Sequence, residues 1–376
     1  MRVHDNVFIL VIFAIFLFVS TIQLFYYFYY YLAVYLHKPS DIVKKKKPVS
    51  IIICAKNEAT NLKKFLPAIL KQDYQDYEVI VVNDCSEDDS NDILETYQEQ
   101  YPHLKVSSVK KDPKFTHNKK FAQFIGIKAA KNEILLFTDA DCEPESDKWL
   151  ERMASHFDDK TSFVLGYGGY LNEKGLLNKY IRYDSVSIAM QYLGMAIRGL
   201  PYMGVGRNLA YRYSLFFSNK GYGAHNHLIS GDDDLFVNTN ANGKNTCVEF
   251  RKESHTRSIP SREFREWISQ KKRHLTTAPY YKLRDKFLLI TEPLSRIVFY
   301  AAFIILISYS YFWPVVLIVF GIRITTQIIV STLVQRKLNE PGLLAYSIFF
   351  DIFSPVINSI IFLSNTGSGS RKVKWK

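Results

Sequence analysis

The sequence predicts an α/β domain built on a mainly parallel sheet and held between N-terminal and C-terminal membrane helices. Three observations predict it: strand-length apolar runs alternate with helical stretches between residues 48 and 286, long apolar segments flank that region, and basic residues gather beside those segments. The expected division is therefore 1–47 as membrane anchor and basic linker, 48–286 as a cytoplasmic domain, and 287–376 as membrane helices with a basic tail.

Residues 6–36 form an almost uncharged run of Phe, Ile, Leu, Val and Tyr, longer than the ~20 residues a helix needs to cross the hydrocarbon core. A cleaved signal peptide has a shorter apolar core and a small-residue exit. This run instead ends in Tyr29-Tyr30-Tyr31 and Tyr35, which suit the membrane–water interface, so a retained anchor is expected. Lys38, Lys44, Lys45, Lys46 and Lys47 follow, whereas only Arg2 and Asp5 precede it. The positive-inside rule then puts the next segment in the cytoplasm.

In that segment, residues 49–54, 78–83 and 134–138 are apolar runs of strand length. Between the first two, residues 61–71 repeat Leu62, Phe65, Leu66 and Ile69 at helical spacing, and before the third comes a stretch with Phe121, Phe124, Ile125, Ile127 and Ala130. Such alternation implies right-handed βαβ units, with ligands beyond the carboxyl ends of the strands. Polar clusters fall at those ends: Lys56-Asn57-Glu58, then Asp84 to Asp89, then Asp139-Ala140-Asp141.

Toward the C-terminus, residues 294–312 and 315–334 meet at Tyr311-Phe312-Trp313-Pro314 and read as a membrane hairpin. Residues 342–363 are apolar but interrupted by Asp351 and Pro355, and lead to Arg371, Lys372, Lys374 and Lys376. A charge and a helix breaker in mid-run suggest a re-entrant or interface-lying segment, because a full crossing puts the basic tail outside. The formal charge of +12 concentrates beside these apolar segments, so anionic headgroups rather than nucleic acid account for it. The four cysteines show no CxxC spacing, and neither disulfides nor a zinc site are expected.

Each acidic motif has two readings. Asp139-Ala140-Asp141 puts two carboxylates on one side of an extended backbone, where they can hold a hard divalent ion, or it is an ordinary acidic turn. Asp84 stands where a carboxylate can accept from a nucleobase imide, or it caps the helix beginning near Ser90. Asp232-Asp233-Asp234 crowds three carboxylates that raise one another's pKa, as suits a base, or caps a helix through Leu235 and Val237. The stretch from Phe264 to Leu275 reads as a basic amphipathic helix on the membrane surface, with Gln270 and Arg273 on one face able to reach a diphosphate.

Taken in order, the segment from Val49 to Glu58, Asn83-Asp84, Asp139-Ala140-Asp141, Gly231-Asp232-Asp233 and Gln270-Lys271-Lys272-Arg273 resemble the membrane-bound family-2 glycosyltransferases, which include cellulose, chitin and hyaluronan synthases and ceramide glucosyltransferases. The resemblance implies a GT-A-type, Rossmann-like nucleotide-sugar fold that inverts the anomeric centre. It implies that Asp84 meets the uracil of a UDP-sugar, with Asn57 and Glu58 beside it, that Asp139 and Asp141 hold Mn²⁺ or Mg²⁺ and the diphosphate, and that Asp233 is the catalytic base. Gln270 and Arg273 bind the diphosphate on this reading, Arg207 and Asn208 lie beneath the donor sugar and acceptor, and Lys120 stands on the donor side. The implied acceptor is a lipid or lipid-linked glycan at the bilayer. Two departures stand out: His274 replaces the tryptophan of the family's Gln-x-x-Arg-Trp motif, offering a smaller ring that protonates near phosphates, and Cys142 follows the acidic pair where some synthases have histidine. A processive synthase and a non-catalytic scaffold are the competing readings.

Overall fold

The computed structural model describes residues 3–39, 46–110, 118–223, 228 and 230–366. Lys44, Lys45 and the basic tail lie outside the described residues. The chain enters as α1 (Val3–Phe25), passes through a π-helical turn (Tyr26–Tyr31) and ends its first rod in α2 (Leu32–Leu36).

The domain that follows has β1 (Val49–Ala55), α3 (Ala59–Leu70), β2 (Tyr77–Asp84), α4 (Ser90–Gln100), β3 (Leu104–Val109), α5 (Lys119–Ala129) and β4 (Ile134–Asp139) as its nucleotide-fold half. Alternation along β1 explains the layering: Val49, Ile51 and Ile53 meet Leu62 and Leu66 of α3, whereas Ile52 meets Ile127 of α5 on the opposite face. Gly126 lets α5 lie close, since a Cβ there would come within 2.7 Å of Ile52 Cγ2.

The second half comprises β5 (Cys142–Pro144), α6 (Trp149–Ala154), β6 (Phe163–Gly166), β7 (Gly168–Tyr170), α7 (Leu176–Ile197), β8 (Leu209–Arg212), α8 (Tyr213–Ser218), α9 (Asp234–Asn240), β9 (Thr246–Glu249), β10 (Thr256–Ser258) and α10 (Phe264–Leu275). The main sheet runs β3-β2-β1-β4-β8-β6-β9, with β8 antiparallel to both of its neighbours and the other pairs parallel. Strand order reverses between β1 and β4, and the crevice beyond such a switch point is where doubly wound sheets bind ligands. A small sheet, β5-β10-β7, stands over that end.

Three long helices close the chain: α11 (Leu283–Ser308), α12 (Trp313–Lys337) and α13 (Leu344–Thr366). With the first rod, four helices among the described residues are long and apolar enough to cross a membrane. The helix α11 begins eleven residues before the apolar run that announced it, because Asp285 is buried and accepts from Asn238 of the soluble domain. The hairpin turns where expected, through Ser310 and Phe312 in left-handed conformation, and Pro314 sits in the first turn of α12, where its missing amide costs nothing.

Asp351 does not break α13. It lies buried between helices, bonded to Arg296 of α11 and Arg323 of α12, so the charge that suggested a re-entrant break is an internal ion-pair partner. The bundle of α1, α11 and α12 has its own apolar cluster around Phe16, Phe299 and Val316, whereas Ile357 and Ile361 of α13 pack with Tyr180 and Trp267 of α7 and α10. The second half of α13 therefore leans on the soluble domain. The π-helical turn is seated on α7, whose Gly194 has its Cα side against the Tyr30 carbonyl; an added Cβ would lie 2.4 Å from that oxygen.

Candidate active site

Lys119 ties the site together. It opens α5 behind an N-cap, Asn118, whose side chain accepts the Phe121 amide, and its Nζ lies 2.6 Å from Asp139 Oδ1 and 3.8 Å from Asp232 Oδ2. Two acidic motifs about ninety residues apart in sequence are thus within reach of one ammonium group. Burial pulls the lysine down, but Asp139, Asp232 and Asp233 outweigh it and hold the group charged; the lysine in turn holds Asp139 below its ordinary value against burial. The sequence reading assigned this place to Lys120, and the structure corrects it: Lys120 is buried and donates to the Leu228 carbonyl at 3.1 Å. Neighbours on a helix point about 100° apart, and only one of the pair can face the strand ends.

Asp139 ends β4 and Asp141 follows through a turn, so the pair converges by a bend rather than along an extended strand. Asp139, Asp141 and Cys142 each offer a ligand atom within 4.8 Å of the others. The Cys142 thiol is buried, bonded at 2.9 Å to Ser258 Oγ, and pushed well up by burial and by Asp141. The two carboxylates therefore supply the donor chemistry, and oxygen donors suit a hard divalent cation. Burial, then the charge of Asp139, pushes Asp141 up to about 6.

Of the three consecutive aspartates, each has a separate place. Asp234 is buried and accepts from the hydroxyls of Thr277 and Tyr281. Asp232 is buried and faces Lys119. Asp233 lines the cavity and accepts two backbone amides, Gly206 at 2.7 Å and Asp234 at 2.8 Å, so it caps α9 and still fronts open space. The helix-capping reading of this motif holds at Asp233. Burial, then Asp232 and Asp234, pushes Asp233 up to about 7.

The segment before β8 supports this floor. Arg207 lines the cavity, donates to the Gly168 carbonyl at 2.8 Å and lies over the Tyr170 ring. Asn208 does not face a ligand: it is fully buried, its amide nitrogen bonded to the Tyr167 and Ser254 carbonyls and its oxygen accepting from Trp149 Nε1. It is a strut that fixes Gly206 and Arg207.

From the other side α10 presents Gln270, Lys271, Arg273 and His274 to the same cavity. Lys271 is paired with Asp184 at 2.6 Å, whereas the Arg273 guanidinium has no hydrogen bond or ion pair among the described residues. Crowding by the surrounding wall, then the charges of Arg273 and Lys271, push His274 down, although part of its ring is exposed at the cavity edge. Trp267 is packed edge-on against Tyr180 in the core beneath α10.

Asn57, Glu58 and Asp84 sit at the β1 and β2 ends, outside the cavity wall. Asn57, in left-handed conformation, accepts the Glu87 amide, and the Glu58 amide donates to Ser90, so the two loops are laced together. Asp84 is buried at the end of β2 and does not cap α4; Asp88 takes the Ser90 amide instead.

The cavity between these groups holds about 690 Å³ and runs from Asp139 and Asp233 down to the membrane helices. Residues 50–216 match the model of glycosyl transferase family 2. Among curated relatives, glycosyltransferase AglE of Haloferax volcanii is 35% identical over 109 residues, 28% of this chain and 34% of that protein. A cholesterol galactosyltransferase of Borreliella burgdorferi is 34% identical over 106 residues, 28% of each chain. The chain thus spans about a third or less of the length of these relatives. A mannosyltransferase of Pyrobaculum calidifontis, solved with GDP-mannose and Mn²⁺, superposes with a TM-score of 0.57 at 16% identity, covering 91% of this chain and 99% of its own, which establishes a shared GT-A-type fold. Residues 50–216 belong to glycosyl transferase family 2, and the chain carries that domain between apolar helices of membrane-spanning length.

Proposed function

We propose that the protein transfers one or a few sugars from a UDP-sugar, with inversion, to a lipid or lipid-linked acceptor at the cytoplasmic face of the membrane. The observation that carries it is Lys119, which brings Asp139 and the Asp232–Asp234 cluster to one cavity wall opposite Arg273. Asp139 and Asp141 would hold Mn²⁺ or Mg²⁺, which when bound neutralises charge on a departing diphosphate. Arg273 and Gln270 face the same region and stabilise that charge, while Asp84, with Asn57 and Glu58, serves the base of the nucleotide. Asp233 takes the acceptor proton: its pKa near 7 suits a base at neutral pH, and its two amide contacts fix its direction. A single in-line attack from its side inverts the anomeric carbon. Release after one or few additions follows from His274, a small ring where a sugar-stacking indole would grip a chain.

The test is full-length protein in lipid nanodiscs, supplied with UDP-sugars or GDP-mannose and Mn²⁺ or Mg²⁺, with labelled products identified by mass spectrometry. A lipid bearing one or few hexoses from a UDP-sugar is expected. An aqueous polymer ladder overturns the lipid product, turnover of GDP-mannose alone overturns the UDP donor, and no turnover of any donor favours a scaffold.

A further inference from the structure

The cavity does not end at the acidic centre. Its wall continues along Leu289, Pro293 and Ile297 of α11 and, facing them, Pro355, Asn358 and Phe362 of α13. Ile290, Leu294 and Leu363 also line it and are 59%, 55% and 66% exposed, so the space opens sideways between the two helices. Both helices carry their internal proline at this wall, where the ring crowds the preceding turn of its own helix. Where they do touch, Arg296 meets Asp351.

We propose that this gap is a lateral entrance for a neutral, hydroxyl-bearing lipid, whose chain stays between α11 and α13 while its headgroup reaches Asp233. The inference deepens the proposed function and rests on its lipid acceptor. A volume near 690 Å³ lies inside the range of about 300–1,000 Å³ in which such ligands are held. The gap's charges decide the headgroup. Arg296 is bonded to Glu292 and Asp351, and Asp351 to Arg323, so within the gap two cations and two anions cancel and the gap itself supplies no spare cation for a phosphate; the cavity's open cation, Arg273, lies at the acidic centre, where the proposed donor diphosphate sits. An anionic head would be buried there unpaired, which is costly, whereas a hydroxyl needs only hydrogen-bond partners. Asn358 offers one, since its side-chain oxygen is buried with no partner.

The experiment uses the full chain in nanodiscs doped with a diacylglycerol carrying a diazirine in one acyl chain, and separately with phosphatidic acid of the same chains. Cross-links are mapped by mass spectrometry, with the outer face of α12 at Ile318 and Ile322, which is exposed, as the reference for ordinary surrounding lipid. Diacylglycerol should label residues 289–297 and 354–363 above that reference, and phosphatidic acid should not. Ile297→Trp should reduce this labelling and raise the KM for a lipid acceptor about tenfold with donor binding unchanged, whereas Ile318→Trp should do neither. Equal labelling of the gap and the α12 face, or stronger labelling by phosphatidic acid, overturns the entrance. Gap labelling by diacylglycerol without transfer from any UDP-sugar leaves the entrance standing and sinks the transferase reading instead.

Discussion

Two groups of buried charge border the same cavity and are built on opposite terms. In the helix bundle the buried charges among the described residues have been given partners by the chain: Arg296 bonds to Glu292 and Asp351, and Arg323 bonds to Asp351, Tyr300, Gln327 and Gln23. At the acidic centre, Asp139 and Asp141 crowd each other, Asp233 stands beside two more aspartates, and Arg273 has no partner among the described residues. Buried charge serves architecture where its balance is internal, because a missing partner there leaves an ion without solvent or counterion. Where the balance is left open, the missing partner has to come from outside, and on the proposed function a cation, a diphosphate and an acceptor proton would fill the gaps.

The contrast breaks most visibly at Asp141. Asp141→Ala should abolish transfer and weaken UDP binding in the presence of metal, with the unfolding temperature unchanged; near-normal turnover would remove the metal from this site. Asp233→Asn should lower turnover by about 10²–10⁴-fold, the usual loss of a general base, and leave donor affinity in isothermal titration intact. Loss of donor binding in a folded variant would move Asp233 into the donor site.

In the bundle the expected loss is of stability rather than rate. Asp351→Leu strands two arginines and should cost about 3–5 kcal/mol, read as a fall in unfolding temperature or in folded yield. Unchanged stability would mean the bundle charges are not internally balanced.

The pH profile sharpens the comparison further. Asp233 must be ionised to act, so turnover should rise about tenfold per pH unit below 7 and level off above it. Its neighbours set the midpoint: Asp232 and Asp234 raise it and Lys119 opposes them, so Asp232→Asn should move the acid limb to lower pH. A limb that stays in place assigns the titration to another group.

The smallest effect is expected at Arg273. Arg273→Gln removes a cation with no counter-charge of its own and should leave stability without donor unchanged or slightly raised, while weakening UDP binding. A clear loss of stability in the absence of donor would show that the arginine has an internal partner after all.

Much of this was legible in the sequence because it depends on neighbours along the chain. Hydropathy runs fixed the first rod and the hairpin, since crossing a bilayer needs only length and apolarity. Continuous apolar runs of strand length and period-3.6 patterns located β1, β2, β4 and the helices between them, and the polar clusters stand where those runs end. Asp139, Asp141, Asp233 and Arg273 were singled out by the order and spacing of motifs that resemble a family, and Asp139, Asp233 and Arg273 meet at one cavity.

Only the tertiary structure decided what depends on partners distant in the chain. Side-chain direction separated Lys119 from Lys120, a choice that two adjacent lysines cannot announce. Asn208 became a strut because Trp149, Tyr167 and Ser254 surround it, and Asp351 became a bundle residue because Arg296 and Arg323 meet it from other helices. The separate places of the three consecutive aspartates were set by Thr277 and Tyr281, which occupy Asp234, by the Gly206 amide, which donates to Asp233, and by Lys119, which faces Asp232. Residue type and local period state what a side chain is able to do; burial and long-range partners, which no local pattern encodes, settle what it does.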